Sequence, residues 1–188
     1  MLLLTDSEQS LDIRRVAFDP ATGRLAGAPS KIKTAASGQN VAPVLSPDGI
    51  TLAYLRIRKN AAPTLILQDM VSGQEREMVV PVPPDHGSWH PNSKSLLLSA
   101  NPGRGPAQVP APKILDTTTG EFRAIDPDFE ASPLRPGKLQ FSPDGSEIIF
   151  IAQRGEERAI LAWSLARKQT RVIAPYSASE FPFMLDGF

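Results

Sequence analysis

Strand and turn signals recur along this chain at intervals of about 48 residues, and this period limits the fold more than any other feature. One recurring unit is a short apolar run that ends in Asp and is followed, after three further residues, by Gly. Chains with repeats of this length fold by stacking similar supersecondary units, because one unit alone buries too little apolar surface. The copies end in Asp19 with Gly23, Asp69 with Gly73, Asp116 with Gly120 and, in a variant form, Ser164 with Lys168.

A second recurring unit is a tight turn that precedes an apolar run. Proline presets φ at the second corner of such a turn, Asp or Asn accepts backbone hydrogen bonds, and Gly tolerates the positive φ of the last corner. In one copy a serine stands where Gly is expected, so the sequence predicts either a different turn shape or a strained serine. The copies are Ser46-Pro47-Asp48-Gly49, His90-Pro91-Asn92-Ser93 and Ser142-Pro143-Asp144-Gly145.

The segments between the turns predict short strands. Their apolar runs contain only four to six residues and are rich in Ile, Leu and Val, which favours buried strands over helices. The last run of each repeat carries charges such as Glu75, Arg76 and Glu77, which is typical of an edge strand that avoids pairing with other chains. Residues 156–165 are the one helix candidate, and their alignment with the third run of the other repeats predicts a strand instead. Nineteen prolines, about twice the usual share, also disfavour long helices.

Together these signals predict an all-β fold, in which residues 1–188 form one β-propeller of four-stranded antiparallel blades. Complete blades are predicted at 38–80, 84–126 and 134–174, and a partial blade of three strands at 1–33. Residues 177–188 are predicted to supply the first strand of a closing or following blade. Either this strand closes a four-bladed ring, or the chain is a segment of a longer propeller. We expect the segment, because the chain begins in the second strand of a blade.

The repeat also resembles a known family. The Ser-Pro-Asp-Gly turns with the apolar strands around them, at 45–55 and 141–151, resemble the WD-repeat-like blades of the TolB-type β-propellers. Residues 15–29 are similar to a blade of bacterial propeller modules that are attached to protein kinases or winged-helix regulators. The resemblance implies a bacterial, non-catalytic module with a scaffolding, sensory or protein-binding role inside a larger protein.

A function from a different class remains open beside this one. In prolyl-oligopeptidase-like serine peptidases, a propeller domain covers and filters access to a separate hydrolase domain, which would lie outside this chain. A Gly-x-Ser-x-Gly elbow encoded after Phe188 would support the peptidase. A kinase or DNA-binding module encoded before Met1 would support the sensory role.

The candidate chemistry of the chain is sparse. His86 and His90 are four residues apart, but Gly and Pro around them exclude a regular helix, and on a strand their Cα atoms would lie about 13 Å apart. Asp126, Asp128 and Glu130 alternate without the Gly and Asn spacing of a calcium loop, so a solvated loop is expected. The chain has no cysteine and no Gly-x-Ser-x-Gly elbow. We therefore predict no catalytic constellation, no cofactor and no metal site.

The first candidate for a contact surface is the longest irregular insert, at 101–112. It contains Arg104 and Gln108, and Trp89 and His90 stand beside the turn before it. Binding residues concentrate on loops that a rigid scaffold holds in place, so we predict a protein or peptide partner here. Unpaired blade edges would also permit self-association of the chain.

Charge and hydropathy exclude two classes of partner. The chain has 20 basic and 20 acidic residues, and a formal net charge of zero argues against a nucleic-acid-binding surface. No apolar run approaches the roughly 18 residues that a membrane helix needs. Residues 1–4 are apolar but lack a basic leader and are followed by Asp6 and Glu8, so no secretory signal is expected. The bacterial cytoplasm and the periplasm are both compatible with this sequence.

Overall fold

A computed structural model describes residues 2–6, 12–34, 38–80, 86–99, 112–125, 139–154 and 157–176. All regular secondary structure in these ranges is β-strand. The strands are β1 Leu2–Asp6, β2 Asp12–Asp19, β3 Arg24–Lys31, β4 Gln39–Leu45, β5 Thr51–Ile57, β6 Thr64–Asp69, β7 Glu75–Val79, β8 His86–Trp89, β9 Ser95–Ser99, β10 Lys113–Asp116, β11 Phe122–Ala124, β12 Leu139–Phe141, β13 Glu147–Arg154, β14 Glu157–Ser164 and β15 Thr170–Tyr176.

The strands form one three-stranded sheet, β1 to β3, and three four-stranded sheets, β4 to β7, β8 to β11 and β12 to β15. Within every sheet the strands follow one another in chain order, and each neighbouring pair is antiparallel. The prediction of an all-β structure with four-stranded antiparallel units is therefore confirmed. Within the helix candidate at 156–165, residues Glu157–Ser164 form strand β14, as their place in the repeat predicts. The predicted strand at 177–188 lies outside the described residues.

The chain divides into two compact units, Met1–Pro83 and Pro84–Phe188. In the N-terminal unit, one apolar cluster joins the first sheet to the second. Its buried members are Ile13 on β2, Ile32 just after β3, and Leu52, Tyr54 and Ile66 on β5 and β6. Packing between the faces of the two sheets buries the apolar surface that either sheet alone would leave in water.

The C-terminal unit repeats this arrangement with the third and fourth sheets. One apolar cluster draws on both sheets, and Trp163 of β14 lies inside it. The remaining buried members are Leu97, Ile114, Ile125, Leu139, Phe141, Ile148 and Phe150. In both units the short apolar runs of the sequence are therefore the strands whose inward faces make the core.

Two residues other than glycine occupy the left-handed corners of the repeated turns. Ser93 has φ 60°, and its N–H donates to the His90 carbonyl at 2.9 Å. Gly49 has φ 74° and makes the equivalent bond to Ser46 at 2.8 Å. The turn thus keeps the common shape, and of the two alternatives that the sequence left open, Ser93 carries the strain. Lys168, with φ 54°, stands where the equivalent turns have Gly.

Replacing Lys168 with Gly is expected to raise the free energy of unfolding by about 0.5–1 kcal/mol. A side chain at positive φ costs about 1–2 kcal/mol, and the greater freedom of Gly in the unfolded chain offsets part of the gain. Urea unfolding measures the change. Arg167 has no positive φ, so Arg167→Gly serves as the control and should lower stability. A loss of stability in both variants would contradict the assignment of strain to Lys168.

Candidate functional site

The turns between the first two strands of the complete sheets are closed by their own side chains. In the turn that contains Pro47 and Gly49, the Ser46 hydroxyl donates to Asp48 Oδ1 at 2.5 Å and accepts the Thr51 N–H at 2.8 Å. Pro143 and Gly145 lie in the matching turn of the fourth sheet. There Ser142 donates to Asp144 Oδ1 at 2.5 Å and accepts the Glu147 N–H at 2.9 Å. These hydroxyls and carboxylates hold the turn backbone in place.

In the second and third sheets, the turns between the last two strands are closed by an aspartate. Asp69 Oδ1 accepts the N–H groups of Val71 and Ser72 at 2.9 and 2.7 Å, and the Gly73 N–H donates to the Asp69 carbonyl at 2.8 Å. In the third sheet Asp116 accepts two backbone N–H groups in the same way, and Gly120 closes the turn. The side chains that recur in the sequence therefore satisfy backbone donors that the turns would otherwise leave open.

These hydrogen bonds favour the ionised carboxylates. The Ser142 hydroxyl, followed by the N–H and the hydroxyl of Ser146, lowers the pKa of Asp144 from its ordinary 3.8 to about 2. The Ser72 N–H and hydroxyl lower the pKa of Asp69, and the N–H groups of Thr119 and Thr118 lower that of Asp116. Each aspartate is therefore charged at neutral pH.

The lowered pKa of Asp144 predicts an acid-sensitive turn. A carboxylate with a depressed pKa in the folded state stabilises the protein above its unfolded pKa of 3.8, and this stabilisation is lost as the pH falls through about 2. An NMR titration of the Asp144 carboxyl carbon should have its midpoint near pH 2. In the variant Ser142→Ala the midpoint should move upward, because the largest cause of the shift is removed. A midpoint near 4 in the unaltered chain would contradict the hydrogen-bonded turn.

His90 links two turns within the C-terminal unit. Its Nδ1 accepts the Asn92 N–H at 3.1 Å, and its Nε2 lies 3.2 Å from the Gly145 carbonyl oxygen. A backbone N–H only donates and a carbonyl only accepts, so the ring proton lies on Nε2. The ring also meets Phe141 edge to face, with 4.9 Å between the centroids. Nδ1 thus holds the turn of the third sheet, whereas Nε2 and the ring contact the fourth sheet.

The remaining residues that the sequence singled out for binding or metal coordination lie on β8 or outside the described residues. Trp89 is buried at the end of β8. His86 lies in the same strand, and its side chain is outside the described residues. Arg104, Gln108 and the acidic stretch at 126–130 also lie outside the described residues. The structure therefore brings His90 together with Gly145 and Phe141 of the next sheet.

The structure also contains a charged cluster that sequence reasoning missed. Arg56 of β5 is fully buried. Its Nε donates to Asn40 Oδ1 at 3.1 Å, and its terminal nitrogens lie 2.9 Å from the Tyr54 hydroxyl, 2.8 Å from Glu75 Oε2 and 3.1 Å from Glu77 Oε1. A buried guanidinium is tolerated only when carboxylates and acceptors surround it, as they do here.

The partners of Arg56 also bind one another. Tyr54 donates its hydroxyl proton to Glu75 Oε1 at 2.8 Å, and burial followed by this bond raises the pKa of Tyr54. Arg58, the residue immediately after β5, pairs with Glu77 and lowers the pKa of that carboxyl. The cluster thus joins β4, β5 and β7 through polar contacts.

A period of two was the signal for this cluster. Tyr54 and Arg56 alternate on β5 and therefore share a face of the sheet, and Arg58 continues the alternation one residue beyond the strand. Glu75 and Glu77 alternate on β7 in the same way. From the sequence, Glu75 and Glu77 are predicted to lie on an edge strand, where their charges discourage pairing with other chains. β7 is the edge strand of its sheet, but the Glu75 side chain is only 5% exposed because it turns toward Arg56.

Among the described residues there is no group of three or more His, Asp or Glu side chains arranged to hold a metal ion. The described ranges likewise contain no helix that could cross a membrane. No family model matches the chain. No curated protein matches its sequence.

Solved structures do match the chain. Oligogalacturonate lyase in complex with manganese is similar with a TM-score of 0.66 and 15% identity, over 94% of this chain and 51% of that one. A nidogen/laminin complex gives 0.65 and 8% identity, over 92% and 60%. A putative TolB from Agrobacterium tumefaciens gives 0.64 and 14% identity, over 93% and 61%.

The chain therefore spans between about half and three-fifths of the length of these three structures. TolB and oligogalacturonate lyase are β-propellers, and their likeness at this low identity concerns the fold. It agrees with the antiparallel four-stranded sheets and with the Ser-Pro-Asp-Gly turns. The chain thus has the blade fold of the TolB-type β-propellers.

Proposed function

We propose that this chain is a non-catalytic β-propeller module that binds another protein or a peptide through the turns at the ends of its sheets. One observation carries the proposal: the hydroxyl and imidazole groups of the turns, which could act as nucleophiles or bases, are hydrogen-bonded within the turns instead. The hydroxyls of Ser46 and Ser142 bond to aspartates, and both ring nitrogens of His90 are bonded. A nucleophile or general base needs a group that is available to a substrate.

The turns are suited to binding because they are rigid. In each four-stranded sheet, a backbone hydrogen bond ties the turn after the first strand to the turn after the third. These bonds are Met70 N–H to Ile50 O at 2.8 Å, Thr117 N–H to Lys94 O at 2.9 Å and Leu165 N–H to Ser146 O at 3.1 Å. Preorganised loops lose little conformational freedom on binding, so more of the contact energy appears as affinity.

The likeness to the nidogen/laminin complex supports a role in protein binding, since that structure is an assembly of proteins. Oligogalacturonate lyase is an enzyme with a similar fold. The fold alone therefore does not exclude catalysis, and the non-catalytic assignment depends on the side chains. The peptidase alternative stays a prediction, and none of the described contacts favours it.

A selection with purified chain tests the proposal. The immobilised chain is exposed to a phage library that displays fragments of the source genome. We expect overlapping fragments of one or a few proteins to be enriched, and to bind the folded chain but not the chain unfolded in urea. Enrichment of no fragment would contradict a protein-binding role. Turnover of oligogalacturonate by the purified chain with Mn²⁺ would contradict the non-catalytic assignment.

A further inference from the structure

The second sheet exposes two aliphatic side chains on the turns that are joined by the hydrogen bond from Met70 N–H to Ile50 O. Ile50 follows the turn after β4 and is 47% exposed, and Val71 lies in the turn after β6 and is 87% exposed. The Met70 N–H donates to the Ile50 carbonyl, so Val71 is one residue away from the tie between the two turns. Both side chains therefore belong to the same end of the sheet.

The same hydrogen bond between turns occurs in the other two four-stranded sheets and identifies the positions equivalent to Ile50 and Val71. These positions carry polar or small residues. All of the equivalent residues are exposed. The counterparts of Ile50 are Lys94 and Ser146, and those of Val71 are Thr118 and Ala166. The turn geometry is thus satisfied without an aliphatic side chain. Ile50 and Val71 are not part of the core, and the other sheets show that the joined turns do not require a large aliphatic residue at these positions.

Each of the two aliphatic residues stands beside a carboxylate. The Ile50 N–H donates to Asp48 Oδ1 at 3.0 Å, and the Val71 N–H donates to Asp69 Oδ1 at 2.9 Å. The lowered pKa of Asp69 keeps that carboxylate charged at neutral pH. The end of this sheet therefore combines exposed apolar area with negative charge, and its complement is an apolar side chain next to Lys or Arg.

We propose that Ile50 and Val71, flanked by Asp48 and Asp69, form a docking patch for a partner segment in which an apolar side chain stands beside Lys or Arg. The proposal rests on the protein-binding function and names the surface and the chemistry of the partner. The apolar contact supplies affinity, and the carboxylates select the sign of the partner's charge.

The genome fragments enriched on the unaltered chain are the probes for this patch. Each fragment is measured against the double variant Ile50→Ser, Val71→Ser. We expect at least about tenfold weaker binding, because the apolar area that the partner would cover is removed. The matched control is Val172→Ser, which removes an exposed valine from β15 of the other unit, and should change binding less than about twofold. An unchanged urea midpoint shows that each variant is folded.

The outcomes separate this patch from the broader function. Fragments that bind the unaltered chain and the double variant equally would overturn the patch and leave protein binding intact. Fragments that carry Asp or Glu beside their apolar residues would overturn its charge preference, as would affinity that does not fall between about 0.05 and 0.5 M salt. Self-association of the chain in sedimentation runs, abolished by the double variant, would assign the patch to a second copy and overturn the proposal. If no fragment is enriched, both proposals fail.

Discussion

Replacing Arg56 with Met is expected to lower the free energy of unfolding by about 3–5 kcal/mol. The substitution keeps a long apolar stem but removes the guanidinium that compensates Glu75, whose side chain is 5% exposed. Asn40 and Tyr54 lose a hydrogen bond at the same time. Leaving a buried charge without its partner is among the largest effects that one substitution produces. Urea unfolding followed by far-UV circular dichroism measures the loss.

Arg58, two residues further along the chain and immediately after β5, provides a matched control. It also pairs with Glu77, but its side chain is 31% exposed. Solvent screens this pair, so Arg58→Met should lower stability by less than about 1 kcal/mol. Adding Glu75→Gln to Arg56→Met should restore part of the loss, because no buried carboxylate then remains opposite the removed charge. Equal losses for Arg56→Met and Arg58→Met would contradict the buried cluster.

The second large effect is expected at Gly145. Gly145 and Gly49 occupy the same position in identical Ser-Pro-Asp-Gly turns, and both have φ 74°. A Cβ at Gly145 would overlap His90 Nε2, whereas nothing lies within 4 Å of a Cβ at Gly49. Gly49→Ala should lower the free energy of unfolding by about 1–2 kcal/mol, which is the cost of positive φ. Gly145→Ala should lose about 1–3 kcal/mol more, because the imidazole must move.

The variant His90→Ser isolates that steric part. Serine is the residue that the other two turns carry at this position, so the turn chemistry is retained while the ring is removed. In this background, Gly145→Ala and Gly49→Ala should lower the urea midpoint by similar amounts. A difference between them that persists without His90 would show that the imidazole is not the neighbour that Gly145 accommodates.

The sequence predicts the elements of this fold because their causes are local. The turn at Asp48 depends on four consecutive residues, and the strain at Ser93 follows from its place in the same pattern. The strand assignment of residues 157–164 follows from alignment with the other repeats, although their composition alone also fits a helix. Turn chemistry and short apolar runs act over fewer than ten residues, so a single sequence contains them.

The contacts between strands that are distant in the chain could not be read in the same way. Arg56 meets Glu75 across the intervening strand β6. The pair therefore depends on the register of β5 with β6, which sets Tyr54 opposite Ile66, and on that of β6 with β7, which sets Ile66 opposite Glu77. His90 meets Gly145 on another sheet, 55 residues away. The exposed pair Ile50 and Val71 is recognised from the backbone hydrogen bond between two turns, because that bond defines the equivalent positions of the three sheets. Sequence spacing alone does not contain these partners.

The blade fold requires that the two sheets of each unit pack face to face, and proton–proton NOEs between the sheets test this most directly. In the C-terminal unit we predict NOEs between the rings of His90 and Phe141. In the N-terminal unit we predict NOEs from the methyl groups of Ile13 or Ile32 to Leu52, Tyr54 or Ile66. NOEs confined to strands of the same sheet, with none between the two sheets of either unit, would contradict the packing of these sheets as blades.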